Sequence, residues 1–281
     1  MAYPYIILMG GGWMKYKMLV TDIDGTITDK DHNIVPLNRK AIEKAQELGL
    51  YVTLATGRRP ESAKKFVDEL NIECPVIVYN GAGIYDYKEN SFLYKEVLDR
   101  ESSILAISLL NKYTELSVFL YYDHGSYTKE ENETVREYIK KDKIELIYEE
   151  DLLSIVKKEA PIKIMIIGER SLLDKFYEEI SHYDTSVNFT NSEINYLEIL
   201  PKNASKGNML RILTDKLNIK LEEVIAVGDK DNDISMIEIS GKGVAVGNAS
   251  PLLKEKADYI APPGYEGGVW DVVEKFLLNR L

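Results

Sequence analysis

From Lys17 onward, short apolar runs alternate with segments whose apolar residues recur at helical spacing, the rhythm of stacked parallel β-α-β units. Met18 to Thr21 reads as a buried strand. Pro36 to Leu48 places Leu37, Ala41, Ile42, Ala45 and Leu48 at helical spacing, opens on a proline and stops at Gly49. Strand Tyr51–Ala55, helix Pro60–Leu70 and strand Pro75–Tyr79 continue the pattern. After Gly81 the texture changes. Ile84–Tyr87 and Phe92–Lys95 flank a polar turn and read as a hairpin, followed by helix Asp99–Asn111, a Tyr-rich strand Ser117–Tyr122 and a helix near Glu131–Lys141. Strand Lys163–Ile167, helix Leu172–His182 and strand Asn195–Leu200 complete a mixed region. The parallel rhythm returns with helix Lys206–Lys216, strand Val224–Val227, a short helix from Asp231, strand Gly243–Val246 and a final helix ending near Leu278. The expected fold class is α/β: a doubly wound parallel sheet with helices on both faces, built from residues 17–81 and 202–281, and interrupted by an α+β cap at residues 82–201.

The 281 residues, 45% hydrophobic, suffice for two modest cores. The formal charge, 35 − 46 = −11, argues against a nucleic-acid partner, because a phosphate polymer would be repelled. The single cysteine, Cys74, has no internal disulfide partner, and no apolar run is long enough for a membrane span, so a soluble cytoplasmic protein is expected. Residues 1–16, with Gly10-Gly11-Gly12 and no signal-peptide pattern, read as an extension outside the fold, or as sequence upstream of a true start at Met14 or Met18.

The chemistry is concentrated where the candidate strands end. Leu19-Val20-Thr21 runs into Asp22-Ile23-Asp24-Gly25-Thr26, and strand alternation puts Asp22 and Asp24 on one side. Paired acids at such an edge repel unless a cation or a shared proton joins them. A second strand ends in Thr56-Gly57-Arg58, where a hydroxyl, backbone amides and a guanidinium suit an anion. A third ends in Gly228-Asp229-Lys230-Asp231-Asn232-Asp233, a set of hard oxygen donors of the kind magnesium takes. Lys206 opens the helix before that strand and offers balancing charge. Each piece has a plainer reading as a polar turn, a helix cap or a solvated lysine.

Together and in this order, these pieces resemble the four motifs of the haloacid dehalogenase superfamily. A large cap between the second and third is similar to its Cof-type sugar and small-metabolite phosphatases. Tyr79-Asn80-Gly81-Ala82 before the cap and Tyr196-Leu197-Glu198-Ile199 after it extend the likeness over most of the chain, while Asn203 stands where the family often has glycine. The resemblance implies a Rossmann-like core and a magnesium-dependent phosphatase that works through an aspartyl phosphate on a small phosphorylated metabolite. It casts Asp22 as nucleophile and Asp24 as general acid and base. Thr56, Gly57, Lys206 and Asn232 become phosphate-binding positions, and Arg58 and Asn80 face the substrate. The metal would be held by the Asp22 carboxylate, the Asp24 backbone carbonyl and Asp229, with Asp233 supporting or joining them.

Two alternatives stay open on the sequence: a phosphosugar mutase of the same fold, which would return the phosphoryl group to a sugar, and a non-enzymatic receiver-like phospho-acceptor. The histidines His32, His124 and His182 show no metal-ligand spacing and carry no expected role. The tyrosines Tyr113, Tyr121, Tyr122 and Tyr127 read as packed strand residues or as a sugar-stacking surface.

Overall fold

The computed structural model describes residues 15–191 and 193–278. The expectation of an N-terminal extension therefore lies mostly outside the described residues, although Tyr16 is already buried. The chain forms two compact units, one from the residues up to Leu93 and those from Ser205 onward, the other Tyr94–Ala204.

The first unit begins with strand β1 (Met18–Thr21), helix α1 (Pro36–Glu47), strand β2 (Tyr51–Leu54), helix α2 (Pro60–Glu69) and strand β3 (Val76–Val78). Strands β4 (Gly83–Asp86) and β5 (Ser91–Lys95) follow as a hairpin. Here the structure departs from expectation. The hairpin does not open the insert: β4 pairs antiparallel with β3, matching Ile77 to Ile84, and β3 meets the parallel sheet through the bridge of Ala55 to Ile77. Ile84 is fully buried, and Tyr85 and Phe92 pack edge to face at 5.0 Å, so the hairpin's apolar side belongs to this core. The boundary between the units accordingly lies after Leu93 rather than after Gly81.

The second unit is a six-stranded sheet with helices against it. In chain order it runs through α3 (Arg100–Leu110), β6 (Ser117–Tyr122), β7 (Gly125–Thr128), α4 (Glu133–Asp142), β8 (Ile147–Tyr148), α5 (Leu152–Lys158), β9 (Lys163–Ile167), α6 (Arg170–Ser181), β10 (Val187–Thr190) and β11 (Tyr196–Pro201). Alternate residues Leu120, Ile164, Ile166, Leu197 and Ile199 join Ile107, Val156 and Phe176 in one apolar cluster. The intervening residues point to the other face, where Lys163 and Glu198 form a buried pair at 3.3 Å.

The chain then returns with α7 (Lys206–Leu217), β12 (Val224–Gly228), α8 (Ile234–Ile239), β13 (Lys242–Val246), α9 (Pro251–Lys256), β14 (Tyr259–Ala261) and α10 (Gly268–Val273), which continues as a wider turn to Leu278. Five strands form a parallel sheet in the order β14-β13-β12-β1-β2. All four residues of β1 have no solvent exposure, as expected of a central parallel strand covered on both faces. From β1 the chain crosses to β2, and from β12 it crosses the opposite way to β13. Right-handed crossovers in opposite directions put α1 and α8 on opposite faces, and α1 packs with α10 while α8 packs with α7. The crossing direction changes between β1 and β12, and beyond the carboxyl ends of such a pair lies the usual ligand crevice of an open parallel sheet. Among the described residues no helix is long and apolar enough to cross a membrane.

Candidate active site

The ladder between β1 and β12 ends with the Asp22 amide donating to the Val227 carbonyl at 2.9 Å, which fixes where the carboxylate leaves the sheet. The chain turns at Gly25, whose φ of +84° lies in the left-handed region. A Cβ there would stand 2.4 Å from Asp229 Oδ2, so the turn must be bare for the two strand ends to meet. Amides of Thr26, Ile27 and Thr28 then all donate to the Ile23 carbonyl, and Asn248 Nδ2 donates to the Gly25 carbonyl at 2.8 Å.

Asp22, Asp229 and Asp233 are buried around a buried lysine. Lys206 Nζ lies 2.6 Å from Asp22 Oδ1 and 2.5 Å from Asp233 Oδ1. Its helix is started by Ser205, whose hydroxyl accepts from the Asn208 amide at 3.1 Å. The other Asp233 oxygen accepts from the Asp229 and Lys230 amides at 2.9 and 3.1 Å. Asp233 is therefore fully engaged in holding Lys206 and the end of β12. Thr26 Oγ1 donates to Asp229 Oδ1 at 3.2 Å.

Three carboxylates against one ammonium leave an excess of negative charge in a poorly solvated place. Burial pushes the Asp22 carboxyl up to about 6 against the pull of Lys206, with Asp233 and Asp24 adding to the rise. Burial and then the Asp22 and Asp233 charges push Asp229 up to about 8. Burial works against the Lys206 ammonium, yet Asp22 and Asp233 outweigh it and hold its pKa above the ordinary lysine value. One oxygen from each acid lies within 4.8 Å of the others, a buried set of hard donors that fits a small divalent cation. Because Asp233 is spent on Lys206 and two amides, Asp22 and Asp229 are the pair best placed to hold one.

Beside this cluster, the β2 end presents Thr56, 1% exposed, whose amide donates to the Ile77 carbonyl at 2.9 Å and whose hydroxyl accepts from the Arg58 amide at 3.1 Å. Gly57 lies against the Asn80 carboxamide. Asn80 itself is buried and left-handed, with φ +53°, and its amide donates back to the Thr56 carbonyl. Asn232 Nδ2 donates to Asn80 Oδ1 at 2.9 Å, while the buried Asn232 Oδ1 has no hydrogen-bond partner. Thus Thr56, Gly57, Asn80 and Asn232 form one connected wall.

Asp24 and Arg58 behave differently from the expectation that Arg58 faces an anionic substrate. The guanidinium forks onto Asp24, Nε to Oδ2 and Nη2 to Oδ1, each at 2.7 Å. His32 Nδ1 reaches the same Oδ1 at 2.8 Å. Burial alone would raise the Asp24 carboxyl, but hydrogen bonds and charge from His32 and Arg58 outweigh it and hold it well below the usual carboxylate range. The Asp24 side chain is outside the carboxylate cluster formed by Asp22, Asp229 and Asp233.

The structure therefore gathers Asp22, Asp229, Asp233 and Lys206 in one place and links Asn80 to Asn232, while drawing Asp24 and Arg58 into a pair of their own. Sequence reasoning missed Thr26 and His32. Thr26 sat inside the quoted motif and signalled only a turn. His32 was judged by metal-ligand spacing, a test that cannot detect a histidine whose partner is a carboxylate.

A family model described as haloacid dehalogenase-like hydrolase matches residues 19–273. A putative phosphatase of Streptococcus pyogenes serotype M6 is 28% identical over 95% of this chain and 100% of its own length. A protein of Bacillus subtilis named 5-amino-6-(5-phospho-D-ribitylamino)uracil phosphatase is 29% identical over 93% of this chain and 96% of its own. Among solved structures, a haloacid dehalogenase-like hydrolase from Bacteroides thetaiotaomicron superposes with a TM-score of 0.82 at 30% identity, over 93% of this chain and 99% of that one. With these motifs joined at the carboxyl edge of a parallel sheet, the chain belongs to the haloacid dehalogenase-like hydrolases and is an enzyme of their phosphatase type.

Proposed function

We propose that this chain is a magnesium-dependent phosphatase that hydrolyses a phosphomonoester of a small metabolite through an aspartyl phosphate on Asp22. The observation that carries this reading is the buried trio of carboxylates sharing one lysine, with Lys206 Nζ 2.6 Å from Asp22 and 2.5 Å from Asp233. A nucleophilic carboxylate needs a free lone pair and a fixed direction, and the Lys206 contact gives Asp22 Oδ1 its direction while Oδ2 stays available for attack on phosphorus. Mg²⁺ held by Asp22 and Asp229 would supply charge that screens the nucleophile from the phosphate dianion.

Negative charge on the phosphoryl oxygens calls for fixed donors, and the Thr56 hydroxyl and the Lys206 ammonium offer them beside Gly57. Attack by Asp22 forms a P–O bond as the ester P–O bond breaks. Asp24 protonates the departing oxygen, and then takes a proton from the water that hydrolyses the aspartyl phosphate. In the resting arrangement Asp24 is ionised and paired with Arg58, which suits the second of these tasks directly. The first requires Asp24 to take up a proton from solvent before the ester bond breaks, on an oxygen freed from Arg58.

The relative from Bacillus subtilis with a phosphoribityl substrate in its name supports a phosphorylated polyol or sugar as the substrate class. The test is release of inorganic phosphate from p-nitrophenyl phosphate and then from a panel of sugar and polyol phosphates, before and after EDTA and with Mg²⁺ restored. Turnover that survives exhaustive chelation would remove magnesium, and a sugar phosphate returned as an isomer without free phosphate would make the enzyme a mutase.

A further inference from the structure

Asp24 accepts from two donors on Oδ1 and one on Oδ2. A guanidinium only donates, and its fork makes both Asp24 oxygens acceptors, so at 2.8 Å the remaining contact on Oδ1 is the His32 Nδ1 N–H donating. The 3.3 Å between Arg58 Nη2 and His32 Nδ1 is then the convergence of two donors on one oxygen.

The loop bearing His32 is built around a local knot of hydrogen bonds. Thr28 and Ile34 form an antiparallel bridge, Asp29 Oδ1 accepts from the Asp31 and Asn33 amides at 2.9 Å each, and the His32 amide donates to the Asp29 carbonyl at 3.1 Å. At its tip His32 adopts φ +57°, an uncommon conformation for a residue with a side chain. Neither burial nor ion pairing repays that conformation: the His32 side chain is 40% exposed, and a partly exposed pair contributes little to folding. What the loop does achieve is to aim one N–H at one oxygen of Asp24.

We infer that the Asp29–Asn33 loop is a positioning element for Asp24, in which His32 holds Oδ1 in place when the Arg58 Nε contact releases Oδ2, so that Oδ2 is the oxygen that exchanges a proton with the leaving group and the water. The inference rests on the proposed acid and base role of Asp24. His32 is a positioning residue, and its loss should be felt in proportion to how much a substrate needs its leaving oxygen protonated.

The test uses the full chain with Mg²⁺ and two near-isosteric esters, phenyl phosphate and p-nitrophenyl phosphate, compared by kcat/KM, which reports the step that expels the phenol. His32→Gly removes the donor while accepting the left-handed backbone, and His32→Asn restores an N–H near the Nδ1 position in a residue tolerant of that backbone. His32→Gly should lose about 10- to 100-fold on phenyl phosphate and less than about 3-fold on p-nitrophenyl phosphate, and His32→Asn should recover most of the difference. Equal losses on both esters, or an Asn variant no better than Gly, would overturn the inference and leave the phosphatase reading standing. A parent chain that turned over neither ester would overturn both. A parent that was active while Asp24→Asn lost equally on both esters would overturn the role of Asp24 and the His32 inference with it.

Discussion

Lys206 is the one buried cation among three buried carboxylates in the described site, so the response of this site to substitution is asymmetric. Removing one partner of a buried charge pair leaves the other uncompensated and costs about 3–5 kcal/mol. Lys206→Met should therefore lower the melting temperature of the metal-free protein by about 10 °C and abolish turnover, as thermal melts and phosphate release would show. Asp22→Asn keeps the shape, keeps an acceptor for Lys206 and removes one of the mutually repelling acids. It should abolish turnover while leaving the metal-free melting temperature unchanged or higher; a clear drop would mean that the Asp22 charge stabilises the fold. The same crowding sets a pH dependence. Asp22 and Asp229 titrate near 6 and 8 in the folded chain, against about 4 when unfolded, so the folded state binds protons more tightly across that window. Stability of the EDTA-treated protein should thus fall as pH rises from about 4 through 8, by about 5 °C or more in melting temperature. Asp229→Asn should flatten that profile, and Mg²⁺ should restore most stability at the alkaline end, where it no longer competes with protons.

At the scale of elements, the joint that matters is the turn between β3 and β4, which brings Asn80 beside the start of α7. Gly81 has φ +92°, and a Cβ on it would lie 2.2 Å from the Ser205 carbonyl oxygen. Gly81→Ala should push α7 away from the sheet edge, destabilising the protein by about 2 kcal/mol or more and lowering kcat through misplaced Lys206, measurable by urea melts and single-turnover kinetics. Legibility in the sequence followed the same logic of local against distant constraint. Strands β6 and β9 and helix α1 were readable to within a residue or so because their apolar periodicity is strong. Strands β7, β8, β10 and β14 and helices α5 and α9 went unread, being short, partly exposed or polar, with ends set by neighbours distant in sequence. The hairpin β4-β5 was seen as a hairpin but assigned to the wrong unit, because alternation reveals a buried side without revealing against what it is buried. In the site, the gathering of Asp22, Asp229, Asp233 and Lys206 was legible from where their strands and helix end, whereas Asn80 was marked only by the family resemblance. The fork of Arg58 onto Asp24 depends on two side chains 34 positions apart choosing each other over solvent, and nothing local encodes that choice.

For the whole molecule, we propose that the insert carries substrate choice, since the groups assigned above to the phosphoryl chemistry all lie in the first unit. Replacing Tyr94–Ala204 with a short Gly/Ser linker should leave weak, unselective hydrolysis of p-nitrophenyl phosphate. A folded product that kept the parent's ranking of sugar phosphates would return specificity to the first unit. The interrupted sheet has a further consequence, for the order in which the protein is made. Strand β1 pairs on one side with β2, Met18 opposite Tyr51, and on the other with β12, Met18 opposite Val224. At roughly 5–20 residues per second, a nascent chain carries β1 with one edge open for on the order of ten to forty seconds, while the insert, continuous in sequence, can bury its own apolar cluster. Asp22 likewise emerges long before Lys206, Asp229 and Asp233. A ribosome that stalls after Ala204 thus releases a folded insert joined to half a sheet, a sticky product with an unpaired strand edge and no catalytic centre.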